Sequence, residues 1–94
     1  MSAEFSARAL RELNAILAYV GQHNSRAAMK LVARVDDMRV MLGRHPFAGR
    51  ATRRTGIRRI VLPEFPYILF FTVGLSGRVQ IISVRHAKRR PLTP

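Results

Sequence analysis

The residues of this sequence that could do chemistry are cations placed around a histidine near the C-terminal end. Arg85 and His86 are followed by Lys88, and Arg58 and Arg59 stand side by side earlier in the chain. Positive groups around a histidine could bind a phosphodiester and, in a metal-free ribonuclease, stabilise the developing charge while a base takes the 2′-hydroxyl proton. The same groups could equally bind an anionic partner without any reaction.

These alternatives predict two sets of site residues. If the protein cleaves RNA, the residues to carry the reaction are Arg85, His86 and Lys88. If it only binds, no catalytic residue is expected, and the candidate contacts to a target or partner are Arg39, Arg58, Arg59, Arg85, His86, Arg89 and Arg90. Arg58 and Arg59 cannot both join one patch, because adjacent residues of a strand point to opposite faces.

Other reaction chemistry lacks its residues. The sequence has no cysteine, which excludes disulfides and thiolate metal ligands. Its three histidines lie far apart without a carboxylate cluster, and no glycine-rich phosphate loop is present, so we expect neither a metal nor a cofactor. Four of the five acidic residues fall at the N-terminus or on predicted helices, where solvated surface positions are usual.

The net charge of +12 is concentrated in the second half of the chain. Residues 1–42 hold six basic and four acidic residues, whereas residues 43–94 hold eleven basic residues and one acidic residue. A field of one sign attracts a partner of the opposite sign. We therefore expect an acidic protein partner, with direct nucleic-acid contact as a secondary option.

Neither a signal peptide nor a transmembrane segment is expected. Residues 1–5 lack the basic stretch and the following apolar run of a signal peptide, and no segment approaches the roughly 18 uninterrupted apolar residues that span a bilayer. The sequence predicts a cytoplasmic protein without membrane contact, and its 94 residues suit one domain with a modest core.

Two amphipathic helices are predicted in the first half. Ser6 can cap a helix over residues 7–20, and Ser25 can cap a second over residues 26–42. Apolar residues recur at spacings of three and four in both helices. The first stripe is Leu10, Leu13, Ile16, Leu17 and Val20, and the second is Ala28, Leu31, Val32, Val35, Met38 and Leu42. Arg39, at the edge of the second stripe, reaches either solvent or a groove where an acidic group docks.

Three strands are predicted downstream, over residues 57–62, 67–73 and 79–85, since these runs are rich in Ile, Val, Phe and Tyr and are separated by turn residues. Residues 43–56 are predicted as a basic loop and residues 86–94 as a basic tail, and residues 3–5 could add a short edge strand. The predicted fold is α+β, with an N-terminal antiparallel helical hairpin packed on a small, mainly antiparallel sheet of three to four strands.

Four local motifs, in this order along the chain, resemble those of the RelE/ParE toxin superfamily. FSARALREL at residues 5–13 is similar to the family's opening, and HPFAGR at residues 45–50 to the loop after its second helix. FPYILFFTV at residues 65–73 resembles the family's central strand, and ISVRHAKRRP at residues 82–91 its closing pattern. Together the four motifs cover nearly the whole chain.

The resemblance points to the ParE-like branch. RelE-like members are ribosome-dependent messenger RNA endonucleases that usually have an arginine after the tyrosine of the central strand and an aromatic residue near the C-terminus. Here Ile68 follows Tyr67, and the chain after Val84 has no aromatic residue. ParE-like members inhibit DNA gyrase and carry a closing histidine and arginine tail, as this chain does. The resemblance therefore implies a non-enzymatic toxin of plasmid-stabilisation type, which arrests growth and forms a hetero-oligomer with an acidic type II antitoxin.

Two alternatives stay open. His86 lies near the position where some endonuclease relatives have a catalytic histidine, so ribosome-dependent cleavage is the second hypothesis. A non-enzymatic nucleic-acid-binding module is the third. Its weakness is that the aromatic residues of the central strand are expected in the core rather than on a base-stacking platform.

Overall fold

The structure, a computed structural model, describes residues 2–88. Of the predicted basic tail, Arg89, Arg90 and the residues after them lie outside the described part. The helices are α1 (Ala7–His23) and α2 (Ser25–Arg44), and the strands are β1 (Glu4–Phe5), β2 (Arg50–Ala51), β3 (Arg58–Val61), β4 (Tyr67–Val73) and β5 (Val79–His86).

The helical hairpin is confirmed, and both helices run a few residues further than predicted. Ser6 caps α1 as expected, because its Oγ accepts a hydrogen bond from the Ala9 N–H at 3.0 Å. The predicted cap of α2 is wrong by one residue. Asn24 caps it, accepting from the Ala27 N–H at 3.0 Å, and Ser25 is the first residue inside the helix. The backbone N–H of Asn24 also closes the last turn of α1, so one residue ends one helix and begins the next.

The sheet has five strands in the order β1-β5-β4-β3-β2, so the predicted three to four strands miss part of it. β1 is parallel to β5, and all other neighbours are antiparallel. β4 has its predicted bounds, β3 is shorter than predicted at both ends, and β5 is one residue longer. The optional edge strand in residues 3–5 is present as β1. β2 lies inside the segment predicted as a loop, which is a correction.

The apolar stripes of both helices face the sheet and form one core with it. The buried members of this core include Leu13, Leu31, Val35, Met38 and Leu42 from the helices and Tyr67, Leu69, Phe71, Val79, Ile81 and Val84 from the strands. Two predicted stripe residues, Leu10 and Val32, are instead 46% and 49% exposed, so the buried stripes are narrower than predicted. Each fully buried leucine contributes about 1.5–3 kcal/mol to folding.

β4 is buried on both of its faces. Ile68 and Phe70 point away from the main core, yet they are only 5% and 0% exposed. Three of their four cross-strand neighbours on that face are polar: Arg59 and Ser83 lie beside Phe70, and Arg85 and the apolar Val61 lie beside Ile68. The continuous apolar run of this strand is typical of a central strand, and the long arginine stems can cover apolar rings beneath them.

The segment of residues 44–59, here called the arginine loop, passes close over the sheet. Arg58 anchors it, because its Nη2 donates hydrogen bonds to the carbonyl oxygens of Phe47 (3.2 Å) and Gly49 (2.6 Å). Position 49 has no room for a side chain, since a Cβ there would meet the carbonyl of Arg59 and lie 2.9 Å from the Phe71 ring. The loop therefore has a defined position rather than a freely variable one.

No helix within residues 2–88 combines the length and the apolar composition needed to cross a membrane.

Candidate binding groove

A groove of about 640 Å³ lies between α1 and the ends of β4 and β5. It brings together three of the predicted site residues, Arg85, His86 and Lys88, and its full lining is Glu12, Ala15, Ile16, Tyr19, Tyr67, Val84, Arg85, His86 and Lys88. The helix supplies its apolar wall, β5 supplies Arg85, and Lys88 comes from the turn that follows β5. A cleft with an apolar wall and a few converging polar groups is the usual form of a binding site.

Glu12 organises the polar wall of this groove. Its Oε1 accepts hydrogen bonds from the Ser83 hydroxyl at 2.8 Å and from the Val84 N–H at 3.0 Å. Its Oε2 lies 3.6 Å from Nε of Arg85 and 3.5 Å from Nε of Arg8. Arg85 also donates from Nε to the Ser83 hydroxyl at 3.2 Å. Arg85 is therefore held in place before any partner arrives.

The same carboxylate covers an open strand edge. β1 pairs only with Gln80 and Ile81, so the residues of β5 that follow have no strand on that side. An uncovered strand edge presents unpaired N–H and C=O groups. Glu12 supplies the acceptor that a neighbouring strand would have given to Val84. Sequence reasoning missed this role, because Glu12 was expected on the solvated surface and its partner Ser83 is 71 residues away.

His86 is oriented as a hydrogen-bond donor. Its Nδ1 accepts a hydrogen bond from the backbone N–H of Lys88 at 3.1 Å. An imidazole nitrogen that accepts a hydrogen bond carries no proton, so the proton of the neutral ring is on Nε2. The ring also meets Tyr67 edge-on, with 5.4 Å between the centroids. In this arrangement Nε2 can donate to a partner, whereas a general base would have to present an unprotonated nitrogen there.

The remaining predicted cations do not line this groove. Arg39 lies 2.9 Å from Asp36 and donates to the carbonyl of Ala3 at 3.1 Å, which ties the N-terminal segment to α2. Arg58 is part of the arginine loop, where it donates to the carbonyl oxygens of Phe47 and Gly49. Arg59 follows it on β3, so the two side chains leave opposite faces of the sheet, as predicted. Arg89 and Arg90 lie outside the described residues.

A second carboxylate, Glu64, joins α2 to the turn between β3 and β4, away from the groove. Its oxygens lie 2.7 Å from Nε of Arg34 and 3.1 Å from Nζ of Lys30. The hydrogen bond from Arg34, then that from Lys30, holds the pKa of Glu64 below its ordinary value of 4.5. All three side chains are substantially exposed, so solvent screens the cluster and it adds little stability.

Within the described chain, no group of three or more histidine, aspartate or glutamate side chains is placed to hold a metal ion.

Comparison with known proteins identifies the class to which this fold and groove belong. The family model described as "ParE toxin of type II toxin-antitoxin system, parDE" matches residues 3–91. A Sinorhizobium fredii protein named "Putative toxin Y4kP" is 36% identical over 83 residues, which cover 88% of this chain and 84% of that protein. "Toxin RelE2" of Caulobacter vibrioides is 35% identical over 82 residues, covering 87% of this chain and 90% of that protein.

A solved structure shows the same fold. A chain of the structure titled "Chromosomal ParDE TA system from P. aeruginosa" superposes with a TM-score of 0.79, covering 94% of this chain and 97% of that one at 23% identity.

The protein is thus the toxin component of a type II toxin–antitoxin system, a class whose members act together with an antitoxin protein. It belongs to the ParE toxin family, within the RelE/ParE superfamily. The superfamily and the ParE-like branch that the four sequence motifs indicate are both confirmed.

Proposed function

We propose that this toxin arrests growth by inhibiting DNA gyrase in the cytoplasm, and that its groove recognises a protein rather than cleaving RNA. The groove combines an apolar wall, formed by Ile16 and Tyr19, with the cations Arg85 and Lys88. That mixture suits a protein segment that carries both apolar and acidic side chains. The family supports the choice of target, because the family model that matches residues 3–91 is that of the ParE toxin.

The observation that carries recognition over cleavage is the hydrogen bond from the Lys88 N–H to Nδ1 of His86. It leaves the proton of the neutral ring on Nε2. A ribonuclease that uses His86 as its base would need the opposite tautomer to take the 2′-hydroxyl proton. A protein-binding site can use Nε2 as a donor without any change.

The antitoxin, on this proposal, is an acidic and partly disordered segment that wraps the helical hairpin and the sheet and covers the groove. The net charge of +12 supports an acidic partner, since complementary charge speeds capture. Of the predicted contacts, Arg85 and His86 lie in the groove, and Arg39, Arg58 and Arg59 lie outside it. Arg89 and Arg90 stay predicted contacts.

The test is DNA supercoiling by purified gyrase in the presence of the purified toxin. We expect inhibition near stoichiometric toxin, and we expect the double variant Arg85→Ala/Lys88→Ala to need more protein for the same effect. Arg11→Ala/Arg26→Ala, which removes two exposed charges of the helices outside the groove, is the matched control and should inhibit like the parent. Unchanged supercoiling at a stoichiometric excess of the parent toxin rejects gyrase as the target.

RelE-like cleavage of messenger RNA on the ribosome is the second candidate. Two observations favour it: Arg85, His86 and Lys88 come together in one groove, and the Caulobacter relative is named Toxin RelE2. Cleavage predicts ribosome-dependent fragments of a transcript during in vitro translation, which His86→Ala abolishes. Intact transcripts at toxin concentrations that stop growth exclude it.

A further inference from the structure

In the described chain, the arginines of the arginine loop have no carboxylate partner, whereas four of the helical cations do. On the helices, the cations paired with a carboxylate are Arg8, Lys30, Arg34 and Arg39. Among residues 2–88, no ion pair forms to any arginine of the loop: Arg44, Arg50, Arg53, Arg54, Arg58 or Arg59. The nearest acid in sequence, Glu64, is already bound by Lys30 and Arg34. The loop therefore keeps its positive charge for an external anion.

Two of these arginines lie directly across a strand pair. Arg50 of β2 is in register with Arg59 of β3, so both side chains leave the same face of the sheet. Directly opposed residues have Cβ atoms only about 5 Å apart, and like charges at that spacing are destabilising. Anionic groups bound one to each guanidinium would offset this repulsion, since arginine donates to phosphate and carboxylate oxygens in fork geometry.

The shape of this surface favours an extended polyanion over a folded or peptide partner. Arg50, Arg53, Arg54 and Arg59 line neither the groove nor a smaller cleft of about 340 Å³ near the start of β5. Arg50, Arg53 and Arg54 are exposed and Arg59 is half-buried, and neither of these two clefts sets a place for an apolar side chain beside them. Phe47, which is 68% exposed, lies beside the Arg58 guanidinium at 5.3 Å from ring centroid to Cζ. Arg58 also fixes the loop through two backbone carbonyls, so these charges are held in place.

We propose that the arginine loop is a second binding surface, separate from the groove, that takes the phosphodiester backbone of duplex DNA through Arg50 and Arg59. Binding is independent of base sequence, because the contacts are to phosphates. This surface goes beyond gyrase inhibition and does not depend on it. A toxin that reaches its target on DNA would gain local concentration from such a contact.

The test is binding of the full chain to a fluorescent 20-base-pair duplex, followed by anisotropy across a salt series. The logarithm of affinity falls with the logarithm of salt concentration by about 0.9 for each neutralised phosphate. We expect Arg50→Gln/Arg59→Gln to weaken binding and to reduce this slope by about 2. Glutamine keeps part of each aliphatic stem over the sheet, so the fold should persist, as a melting curve checks.

The matched control is Arg11→Gln/Arg26→Gln, which removes the same charge from exposed arginines of the helices that have no carboxylate partner among the described residues. Its slope should stay that of the parent. If both pairs lower the slope equally, net charge alone drives binding and the proposal is overturned. It is also overturned if poly-L-glutamate displaces the toxin from DNA at a lower charge concentration than unlabelled duplex does, because the surface then prefers an acidic protein.

If Arg50→Gln/Arg59→Gln fails to fold, Arg53→Gln/Arg54→Gln in the exposed turn of the same loop replaces it, with the same expected direction. Supercoiling by gyrase is measured on the same variants. Loss of DNA binding with full gyrase inhibition supports the second surface and leaves the gyrase proposal intact. DNA binding unchanged in both loop variants overturns the second surface alone.

Discussion

Positive charge is balanced differently at the two edges of the sheet. The C-terminal part of β5, which β1 does not cover, lies at one edge, here called the β5 end, and β2 lies at the other, the β2 end. At the β5 end, one carboxylate, that of Glu12, bonds to the strand edge and holds Arg85 at 3.6 Å. At the β2 end, Arg50 and Arg59 face each other in register, and neither forms an ion pair within the described chain. At the β5 end, Arg85 is already oriented and its charge is partly neutralised by Glu12, which suits selective recognition of a protein. At the β2 end, the charges of Arg50 and Arg59 are not neutralised, which suits a polyanion with regularly repeated charges.

The largest effect should come from Phe71, a residue of the central strand β4 that lies against the arginine loop. Phe71 is fully buried in the main core, and its ring lies where a Cβ on Gly49 of the arginine loop would touch it. Phe71→Ala should lower the free energy of unfolding by about 3–5 kcal/mol, since it leaves a cavity between sheet, helices and loop. Urea unfolding measures this loss of stability, and Phe47→Ala is the control because Phe47 is an exposed phenylalanine. Equal losses in the two variants would contradict the packing described here.

A steric test separates the arginine loop from the groove. Gly49→Ala should cost about 1–3 kcal/mol, because the new Cβ collides with the Arg59 carbonyl and the Phe71 ring. The loop must then shift and weaken DNA binding, while gyrase inhibition through the groove persists. Gly74→Ala is the control, since its Cβ would lie at an ordinary 3.5 Å from the Arg78 carbonyl. A Gly49→Ala protein as stable as the parent would show that the loop is not closely packed.

The groove end is tested through its carboxylate. Glu12→Ala leaves the Val84 N–H without its acceptor and Arg85 without its counter-ion, which should cost about 1–2 kcal/mol for a side chain that is partly solvated. Glu12→Gln keeps an acceptor oxygen and should lose less. Arg8→Ala, which removes only the outer partner, should change stability by under about 0.5 kcal/mol. Losses of the same size in Glu12→Ala and Arg8→Ala would mean that the contact to the strand edge contributes nothing.

The smallest effect is a pH dependence from the cluster around Glu64. Its pKa is below the ordinary 4.5 in the folded protein, so the folded state favours the charged carboxylate. The resulting stabilisation is fully present above the unfolded pKa and is lost as the pH falls through the folded pKa. The difference in stability between the parent and Glu64→Gln should therefore shrink from about pH 5 downward. A difference that grows as the pH falls would mean that folding raises the pKa of Glu64 instead of lowering it.

The sequence predicts those parts of the fold that depend on local pattern. The stripes of α1 and α2 and the apolar run of β4 follow from residue spacing, and the cap at Ser6 follows from residue type. β1 and β2 have two residues each, too few for a pattern; β1 is predicted only as an optional edge strand and β2 is not predicted, and both form by pairing with β5 and β3.

The same distinction holds for the site. Arg85, His86 and Lys88 could be predicted because they are close in sequence. Glu12 could not, since its role depends on Ser83 and Val84 from the far end of the chain. The orientation of His86 is not predicted either, because it depends on the turn that follows β5, where the Lys88 N–H bonds to Nδ1.

The most direct test of the central claim, that the groove recognises a protein and does not catalyse, is growth arrest on induction of His86→Gln beside His86→Ala. A glutamine side chain can donate a hydrogen bond near the position of Nε2, but it cannot act as a general base. We predict that His86→Gln still arrests growth with transcripts intact, whereas His86→Ala is weakened. Loss of arrest in both variants, together with transcript cleavage by the parent toxin, would contradict the claim.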